Sequence, residues 1–230
     1  MIFKKLKAVW ILIEFIITVS FVLGIMKIFR KYNWPIRRVW AKMQRFLLGV
    51  DLEVIGKPDL EAKLLIINHQ SLLDIVILDG DYPKNIAWVA KKEIADIFFF
   101  GHILKIPRMI IIDRESKTSL IKLFKDSKDR VENGRVVAIF PEGTRGSGDD
   151  IQKFKVGAKL LAQKLGLKVQ PVVLIGTRKL LDSQNFTATR GKVKLIYLDS
   201  IDPKDDKDWY KNIRRLMQKT LDKELSLTKD

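Results

Sequence analysis

A run of nineteen mainly apolar residues near the amino terminus restricts what this chain can fold into more than any other feature. Residues 8–26 would form a helix of about 28 Å, close to the roughly 30 Å hydrocarbon core of a bilayer. The run contains one carboxylate, Glu14, which is costly at bilayer depth unless it lies near an interface, faces a partner helix or belongs to a segment that does not fully span. No small-residue cleavage site follows the run, so we do not expect a cleaved signal peptide.

A second, amphipathic segment follows the apolar run. From Trp34 to Leu47 apolar residues recur every three to four positions, and Gly49 is placed to end a helix. The other face carries the basic residues Arg37, Arg38, Lys42 and Arg45. Such a helix suits an anionic leaflet, although a surface helix with a solvated basic face would show the same pattern. Because it directly follows the apolar run, we expect two helices in residues 1–49 to embed in, or lie on, one leaflet; a simple span of the membrane by the apolar run is the alternative.

The charge distribution supports a membrane partner. The chain carries a net charge of +16, and its first fifty residues hold ten Lys and Arg against one Glu. Phospholipid explains a basic excess beside an apolar run, and this excess predicts that the rest of the chain lies at the cytoplasmic face of the inner membrane. A membrane-anchored nucleic-acid-binding protein is the alternative from another class, but no cluster of aromatic and basic residues supports nucleic acid as a partner. The absence of cysteine excludes a disulfide scaffold and a cysteine-ligated zinc site.

From residue 51 onward, short apolar runs alternate with amphipathic ones, which is typical of an α/β domain. The predicted strands are Leu64–Ile67, Ile86–Ala90, Met109–Asp113, Val136–Phe140, Val172–Ile175 and Val193–Leu198. The predicted helices are 71–79, 117–131, 154–165 and 208–225. We therefore expect an α/β fold over residues 51–230, with a mostly parallel or mixed central sheet flanked by helices, after an N-terminal two-helix membrane-associating element over residues 1–50.

Unusual polar residues follow three of the predicted strands. Asn68-His69 follows the first strand, Asp113-Arg114 ends the third, and residues 141–145 follow the fourth. In open α/β sheets, ligands bind in the crevice beyond the carboxyl ends of the strands. Three separate loops therefore predict one site.

His69 and Asp74 are candidates for acid–base chemistry. If a helix starts at Ser71, Asp74 lies in its first turn and can face back toward the imidazole. A carboxylate on Nδ1 would hold the tautomer and leave Nε2 as a base. Without a cysteine or a G-x-S-x-G motif, the pair predicts direct activation of a substrate hydroxyl. The competing interpretation is a capping box at Ser71-x-x-Asp74, with His69 as a turn residue. We assign the other histidine, His102, a structural role.

Arg114 and Arg145 are candidates for phosphate binding, because a guanidinium group can bind phosphate bidentately. In the segment FPEGTRG at 140–146, glycine lets backbone amides approach a ligand, while Glu142 and Arg145 supply an acceptor and a cation. A solvated loop would look similar. The combination with His69 and Asp74 favours a binding site.

Two segments, NHQSLLD at 68–74 and FPEGTR at 140–145, resemble the two signature blocks of the glycerolipid acyltransferase family. Residues 90–114 are similar to the family's second block and QPVV at 170–173 to its fourth, in the family's order and spacing. The resemblance implies transfer of a fatty acyl chain from a thioester to the free sn-2 hydroxyl of lysophosphatidic acid, giving phosphatidic acid for phospholipid biosynthesis. The donor would be acyl-CoA or an acyl carrier protein. Another lysophospholipid or a lyso-aminolipid is the alternative acceptor.

The resemblance also implies residue roles. His69 would be the general base and Asp74 would orient it, with no covalent intermediate, no metal and no cofactor beyond the thioester. The residues implied in acceptor binding are Arg114, Glu142, Gly143, Thr144 and Arg145. Arg108 departs from the family, whose second block often has Gly there, and Gly146 stands where Ser often follows the Arg; an extra cation near the phosphate would alter head-group choice. Residues 98–100 are candidates for the wall of an acyl-chain tunnel.

Overall fold

The structure is a computed structural model that describes residues 2–98 and 101–227 of the chain. Its helices are α1 (Ile2–Ile28), α2 (Asn33–Leu48), α3 (Leu73–Asp81), α4 (Lys92–Ala95), α5 (Gly101–Lys105), α6 (Ser119–Glu132), α7 (Gly157–Leu165), α8 (Thr177–Leu180) and α9 (Trp209–Ser226), with a 3-10 turn at Arg30–Tyr32. Its strands are β1 (Val50–Ile55), β2 (Leu64–Ile67), β3 (Ile86–Lys91), β4 (Ile110–Ile112), β5 (Val136–Ile139), β6 (Val169–Ile175), β7 (Leu181–Asp182), β8 (Thr187–Ala188) and β9 (Gly191–Tyr197).

The central sheet is mixed. Within the described residues it has seven strands in the order β1-β9-β6-β2-β5-β3-β4, while β7 and β8 form a separate hairpin. The five strands from β6 to β4 are parallel, β9 runs antiparallel to β6, and β1 is parallel to β9. This confirms the predicted α/β fold with a mixed, mostly parallel sheet. The carboxyl ends of the five parallel strands lie at one edge, which we call the carboxyl edge.

The sheet is covered on both faces. On β2, Leu65 and Ile67 pack into a cluster with residues of α1, α2 and α3. Leu64 and Ile66 pack into a second cluster with residues of α6, α7 and α9. Since successive side chains on a strand point to opposite faces, a continuous apolar run marks a parallel strand that is buried on both sides. The two clusters hold the sheet rigid, so the loops at the carboxyl edge have a fixed base.

All six predicted strands are present, with ends that differ by at most three residues, and the four predicted helices begin one to three residues later than predicted. The largest difference for a strand is in β6, which begins at Val169 instead of Val172 because the strand continues through Pro171. β1 was not predicted, because it is an edge strand whose Asp51 and Glu53 interrupt the apolar pattern. α2 ends at Leu48 and β1 begins at Val50, so the division predicted between residues 50 and 51 lies within the first residues of β1.

The carboxylate of Glu14 faces the partner helix α2. Its Oε1 accepts a hydrogen bond of 2.6 Å from Gln44 Nε2. Thr18 Oγ1, one turn further along α1, accepts from Gln44 Nε2 and Trp40 Nε1, both at 3.1 Å. The prediction that Glu14 can face a partner helix is therefore confirmed. Satisfying these polar groups between the two helices lowers the cost of placing them near lipid.

The prediction that Arg37 lies on an exposed basic face of α2 is wrong, because its side chain is buried. Its Nε lies 2.7 Å from Asp79 Oδ2 on α3, and its Nη2 donates to the Ile86 carbonyl at 3.0 Å. Helical periodicity could not reveal this ion pair, because the partner lies 42 residues away. The exposed apolar residues of α2 are Val39, Met43, Phe46 and Leu47.

In the part of the chain that the structure describes, α1 is the one helix long and apolar enough to cross a membrane. Most of its apolar side chains are exposed: Ile2, Phe3, Leu6, Val9, Trp10, Leu12, Ile13, Ile16, Ile17, Phe21 and Ile28. Of its buried apolar side chains, Ala8 and Ile11 join the core cluster that also contains residues of α2 and α3. The N-terminal helices are thus packed on the α/β core through one face and leave an apolar face uncovered.

Candidate active site

His69 and Asp74 are in contact at the carboxyl end of β2. His69 Nδ1 lies 2.8 Å from Asp74 Oδ2, and the Asp74 side chain is fully buried. The same oxygen accepts the backbone N–H groups of Gln70 at 2.7 Å and Ser71 at 2.9 Å. α3 begins two residues after Ser71, yet Asp74 remains in its first turn, where the helix dipole stabilises a carboxylate. Asp74 accepts the Ser71 N–H as a capping box requires, but the box is incomplete, because the Ser71 hydroxyl donates to the Leu181 carbonyl and accepts the Leu73 N–H instead of the Asp74 N–H.

A third side chain, Thr177, completes the surroundings of Asp74. Its hydroxyl donates to Asp74 Oδ1 at 2.5 Å, and the residue is fully buried. Thr177 follows β6, the neighbour of β2, so the parallel pairing brings it to the carboxyl edge. Both carboxylate oxygens of Asp74 are therefore bound, which holds the carboxylate in one orientation. Thr177 was not among the predicted site residues, because no motif marks it and it lies 103 residues from Asp74.

The loop after β5 holds the backbone of His69 on both sides. Glu142 Oε1 accepts the His69 N–H at 2.9 Å, and the Gly146 N–H donates to the His69 carbonyl at 2.8 Å. The second Glu142 oxygen accepts the Gln152 N–H at 2.8 Å. Burial raises the pKa of Glu142, while the two N–H donors act in the opposite direction. The carboxylate is buried and bonded to two backbone groups, so it links the two signature loops to each other.

An aromatic stack sets the plane of the imidazole. The His69 ring stacks on Phe140 with 3.9 Å between centroids and an interplanar angle of 15°, and Phe140 stacks in turn on Trp88 at 5.3 Å. Trp88 Nε1 donates to Asp79 Oδ1 at 3.0 Å, and Asp79 carries the ion pair with Arg37. The His69 side chain is 15% exposed. With Nδ1 on Asp74, Nε2 is the ring nitrogen left for a substrate group.

Arg114 and Lys155 converge on Gly143. Arg114 Nη1 donates to the Gly143 carbonyl at 2.8 Å. A Cβ atom at Gly143 would lie 2.8 Å from Arg114 Nη1 and 3.1 Å from Lys155 Cε, and the residue has φ of +75°, so the turn requires glycine. Lys155 was not among the predicted site residues. Thr144, the next residue of the loop, is exposed.

Arg145 lies on the other side of the same loop. Its Nη1 donates to Ser183 Oγ in the turn between β7 and β8. Arg178 holds that hairpin to the loop, since it donates to the Gly146 carbonyl and lies 3.5 Å from Asp182 Oδ2. The two predicted phosphate-binding arginines thus flank one loop, but Arg145 is bonded to the hairpin and Arg114 to Gly143.

The expectation that Arg108 adds a cation near the site is wrong. Arg108 precedes β4, so it lies at the amino end of the parallel strands, whereas Arg114 follows β4 at the carboxyl edge. Its Nη2 is 3.5 Å from Asp129 Oδ2, and its φ of +54° explains why glycine suits this position.

Three further predictions concern residues away from this loop. His102 is exposed on α5. Of the proposed tunnel residues, Phe98 is exposed, and positions 99 and 100 lie outside the described residues. Among the residues described, no group of three or more His, Asp or Glu is placed to hold a metal ion.

Most of the chain is similar to known proteins. Residues 52–175 match the family model described as Acyltransferase. The chain is 45% identical to the 1-acyl-sn-glycerol-3-phosphate acyltransferase of Helicobacter pylori over 75% of this chain and 74% of that relative. It is 31% identical to the protein of the same name from Saccharomyces cerevisiae, over 69% of this chain and 54% of that relative. The crystal structure of the 1-acyl-sn-glycerophosphate acyltransferase PlsC from Thermotoga maritima aligns with a TM-score of 0.77 and 26% identity, covering 98% of this chain and 95% of that one.

Proposed function

Because this chain belongs to the acyltransferase family, we propose that it transfers a fatty acyl chain from a thioester to the sn-2 hydroxyl of lysophosphatidic acid, giving phosphatidic acid. The observation that carries the proposal is the contact of 2.8 Å between His69 Nδ1 and Asp74 Oδ2, beside a loop that bears cations. The names of the Helicobacter and yeast relatives support lysophosphatidic acid as the acceptor. Acyl-CoA or an acyl carrier protein thioester would serve as the donor.

His69 would act as the general base. Its Nε2 takes the proton of the sn-2 hydroxyl as the hydroxyl oxygen attacks the thioester carbonyl, and Asp74 stabilises the resulting imidazolium through Nδ1–H. When the tetrahedral intermediate collapses, the carbon–sulfur bond breaks and the imidazolium returns the proton to the leaving thiolate. The acyl group passes directly between substrates, without a covalent enzyme intermediate. General-base assistance of this kind contributes about 10²–10⁴-fold to the rate.

Thr177 and Glu142 would be positioning residues for this pair. Thr177 prevents the Asp74 carboxylate from rotating, because it occupies the oxygen that does not face His69. Glu142 acts through the His69 backbone, since both its oxygens are already bonded to N–H groups. This role replaces the contact with the acceptor that the family resemblance implies for Glu142.

The cations around the loop after β5 would bind the acceptor's phosphate. Arg114 and Lys155 lie together at Gly143, and Arg145 lies across the loop. A guanidinium group offers a planar fork to phosphate oxygens. Arg145 would exchange the Ser183 hydroxyl for a phosphate oxygen when the acceptor binds. Gly143 and Thr144 would then line the glycerol part of the acceptor.

The N-terminal helices would place the enzyme on one leaflet at the cytoplasmic face of the membrane. Exposed apolar side chains occur on α1 and also on α2, at Val39 and Phe46, so both helices offer apolar surface to lipid. The other face of these helices packs on the core that carries β2 and α3. A lipid acceptor would thereby reach the carboxyl edge without leaving the bilayer.

A panel of acceptors tests the proposed reaction. Detergent-solubilised protein would be assayed with lysophosphatidic acid, lysophosphatidylcholine, a lyso-aminolipid and monoacylglycerol, each with acyl-CoA and with acyl carrier protein thioester. We expect the highest kcat/KM for the phosphomonoester. A preference for a phosphodiester or an uncharged acceptor would contradict lysophosphatidic acid as the substrate, while leaving the acyl transfer itself intact.

A further inference from the structure

A cavity of about 320 Å³ lies where the amino-terminal part of α1 meets the carboxyl-terminal end of α2. Its apolar walls are the side chains of Trp10, Ile11, Leu47 and Leu48. Two cations line the same cavity. They are Lys7 of α1 and Arg190, the residue that precedes β9. The volume is at the small end of the range of about 300–1,000 Å³ that is typical of ligand sites. It can take a head group, but it is too small for a whole lipid.

The two cations of the cavity have no carboxylate partner within 4 Å among the described residues. The Lys7 ammonium has a backbone contact, at 3.4 Å to the Leu48 carbonyl. Glu14 also lines the cavity, but its Oε1 is bonded to Gln44 of α2. A pair of cations beside apolar walls complements a ligand that carries both an anionic group and a hydrocarbon part.

The position of the cavity indicates where such a ligand comes from. Lys7 and Trp10 are on α1, and the exposed apolar side chains of this helix include Leu6 and Ile13, which precede and follow them in the sequence. Arg190 lies at the carboxyl edge, because β9 runs antiparallel to β6 and begins there. The cavity therefore joins the lipid-facing surface of α1 to the edge that carries His69.

We propose that this cavity binds the anionic head group of a membrane phospholipid, with the phosphate between Lys7 and Arg190 and the acyl chains along the exposed face of α1. This site is separate from the acceptor site, which uses Arg114 and Arg145. It rests on the membrane orientation in the proposed function, and it does not depend on the chemistry of His69.

Binding of a soluble short-chain phospholipid tests the site. The probe is dihexanoyl phosphatidylglycerol below its micelle concentration, titrated into the detergent-solubilised full chain by calorimetry, with dihexanoyl phosphatidylcholine as the zwitterionic reference. Neither probe has a free sn-2 hydroxyl, so acyl transfer does not enter the readout. The double variant Lys7→Gln with Arg190→Gln should weaken binding of phosphatidylglycerol about 30-fold, since each basic residue near anionic lipid contributes about fivefold in affinity.

Matched variants separate a defined site from general attraction to a basic protein. Lys4→Gln with Lys5→Gln removes the same charge from exposed positions of α1 outside the cavity lining, and should leave the Kd within twofold. The charge-preserving pair Lys7→Arg with Arg190→Lys should retain binding of phosphatidylglycerol. That result would show that the cavity tolerates substitution when its charge is kept. Arg145→Ala should leave the Kd unchanged, because the probe does not need the acceptor site.

Three outcomes would overturn the proposal. Equal weakening in both glutamine pairs would mean non-specific attraction, and an unchanged Kd in the Lys7 and Arg190 variant would mean that the cavity is not the site. Displacement of the probe by equimolar acyl-CoA would assign the cavity to the donor. Since binding is measured without turnover, a failure here leaves the proposed acyl transfer standing.

Discussion

Thr177 Oγ1 donates a hydrogen bond of 2.5 Å to Asp74 Oδ1, the oxygen that does not face His69. The contact joins the first residue of α8, which follows β6, to the first turn of α3. A hydrogen bond to a charged group is worth about 1.5–3 kcal/mol, more than a neutral one. Thr177 therefore has the geometry of a positioning residue that acts on the proposed base through Asp74.

Replacing Thr177 separates this positioning role from a merely structural one. We expect Thr177→Val, which keeps the shape and loses the hydroxyl, to lower kcat about tenfold with an unchanged KM for both substrates. Thr177→Ser restores the hydroxyl and should recover most of the loss. The measurement is steady-state kinetics of the three proteins at equal folded fraction. A rise in KM alone, or failure of serine to rescue kcat, would contradict the role.

Removal of the Arg145 guanidinium should weaken acceptor binding. We expect Arg145→Ala to raise the KM for lysophosphatidic acid at least tenfold, with little change in kcat or in the donor's KM, because a binding contact is lost. Arg108→Ala is the matched control, since Arg108 lies at the opposite edge of the sheet, and its KM should stay within twofold of the native value. An unchanged KM for Arg145→Ala together with a large fall in kcat would place Arg145 in the transition state instead.

The pKa of Glu142, which burial raises, predicts a stability that depends on pH. Its folded pKa lies above the unfolded value of about 4.3, so the folded state binds the proton more tightly. The stabilisation that the protonated Glu142 contributes is fully present below the unfolded pKa and is lost as pH rises through the folded pKa. The free energy of unfolding then falls by at most about 1.4 kcal/mol per pH unit. Removing the carboxyl removes this dependence.

Guanidinium unfolding of the native protein and Glu142→Gln, from about pH 2.5 upward in one detergent, measures this contribution and covers the range below the unfolded pKa of both Glu and Asp. The free energy of unfolding of the native protein relative to the variant should fall as pH rises. Asp59 gives a control of opposite sign, because hydrogen bonds from Ser200 and Lys168 lower its pKa. The stability of the native protein relative to Asp59→Asn should rise as pH rises toward the unfolded pKa of Asp. A relative stability that increases with pH for Glu142 would refute the effect of burial.

The contact between His69 and Asp74 could be predicted because it is local. His69 and Asp74 are only five residues apart, and the start of one helix orients them. α3 begins at Leu73 instead of at Ser71, yet the two side chains still meet. The central strands could be predicted for a similar reason, since continuous apolar runs such as Leu64–Ile67 have few alternatives to burial on both faces. β1 differs because one of its sides is open at the sheet edge and its charged residues resemble those of a loop.

The support around His69 could not be predicted, because it depends on strand order. Thr177 reaches Asp74 only because β6 lies beside β2, and Trp88 reaches Phe140 only because β3 lies beside β5. The burial of Arg37 depends likewise on the packing of α2 against α3. Sequence spacing describes contacts within one segment, whereas these contacts join segments that the chain separates by tens of residues.

Release of thiol from acyl-CoA by the solubilised protein, with and without lysophosphatidic acid, tests the general-base assignment most directly when it is run beside His69→Ala. The chain has no cysteine, so it adds no background to a thiol reagent. We predict release that requires the acceptor, a loss of at least 10²-fold in the variant, and unchanged binding of the variant to phospholipid vesicles. Turnover that persists in His69→Ala would contradict the assignment of His69 as the base.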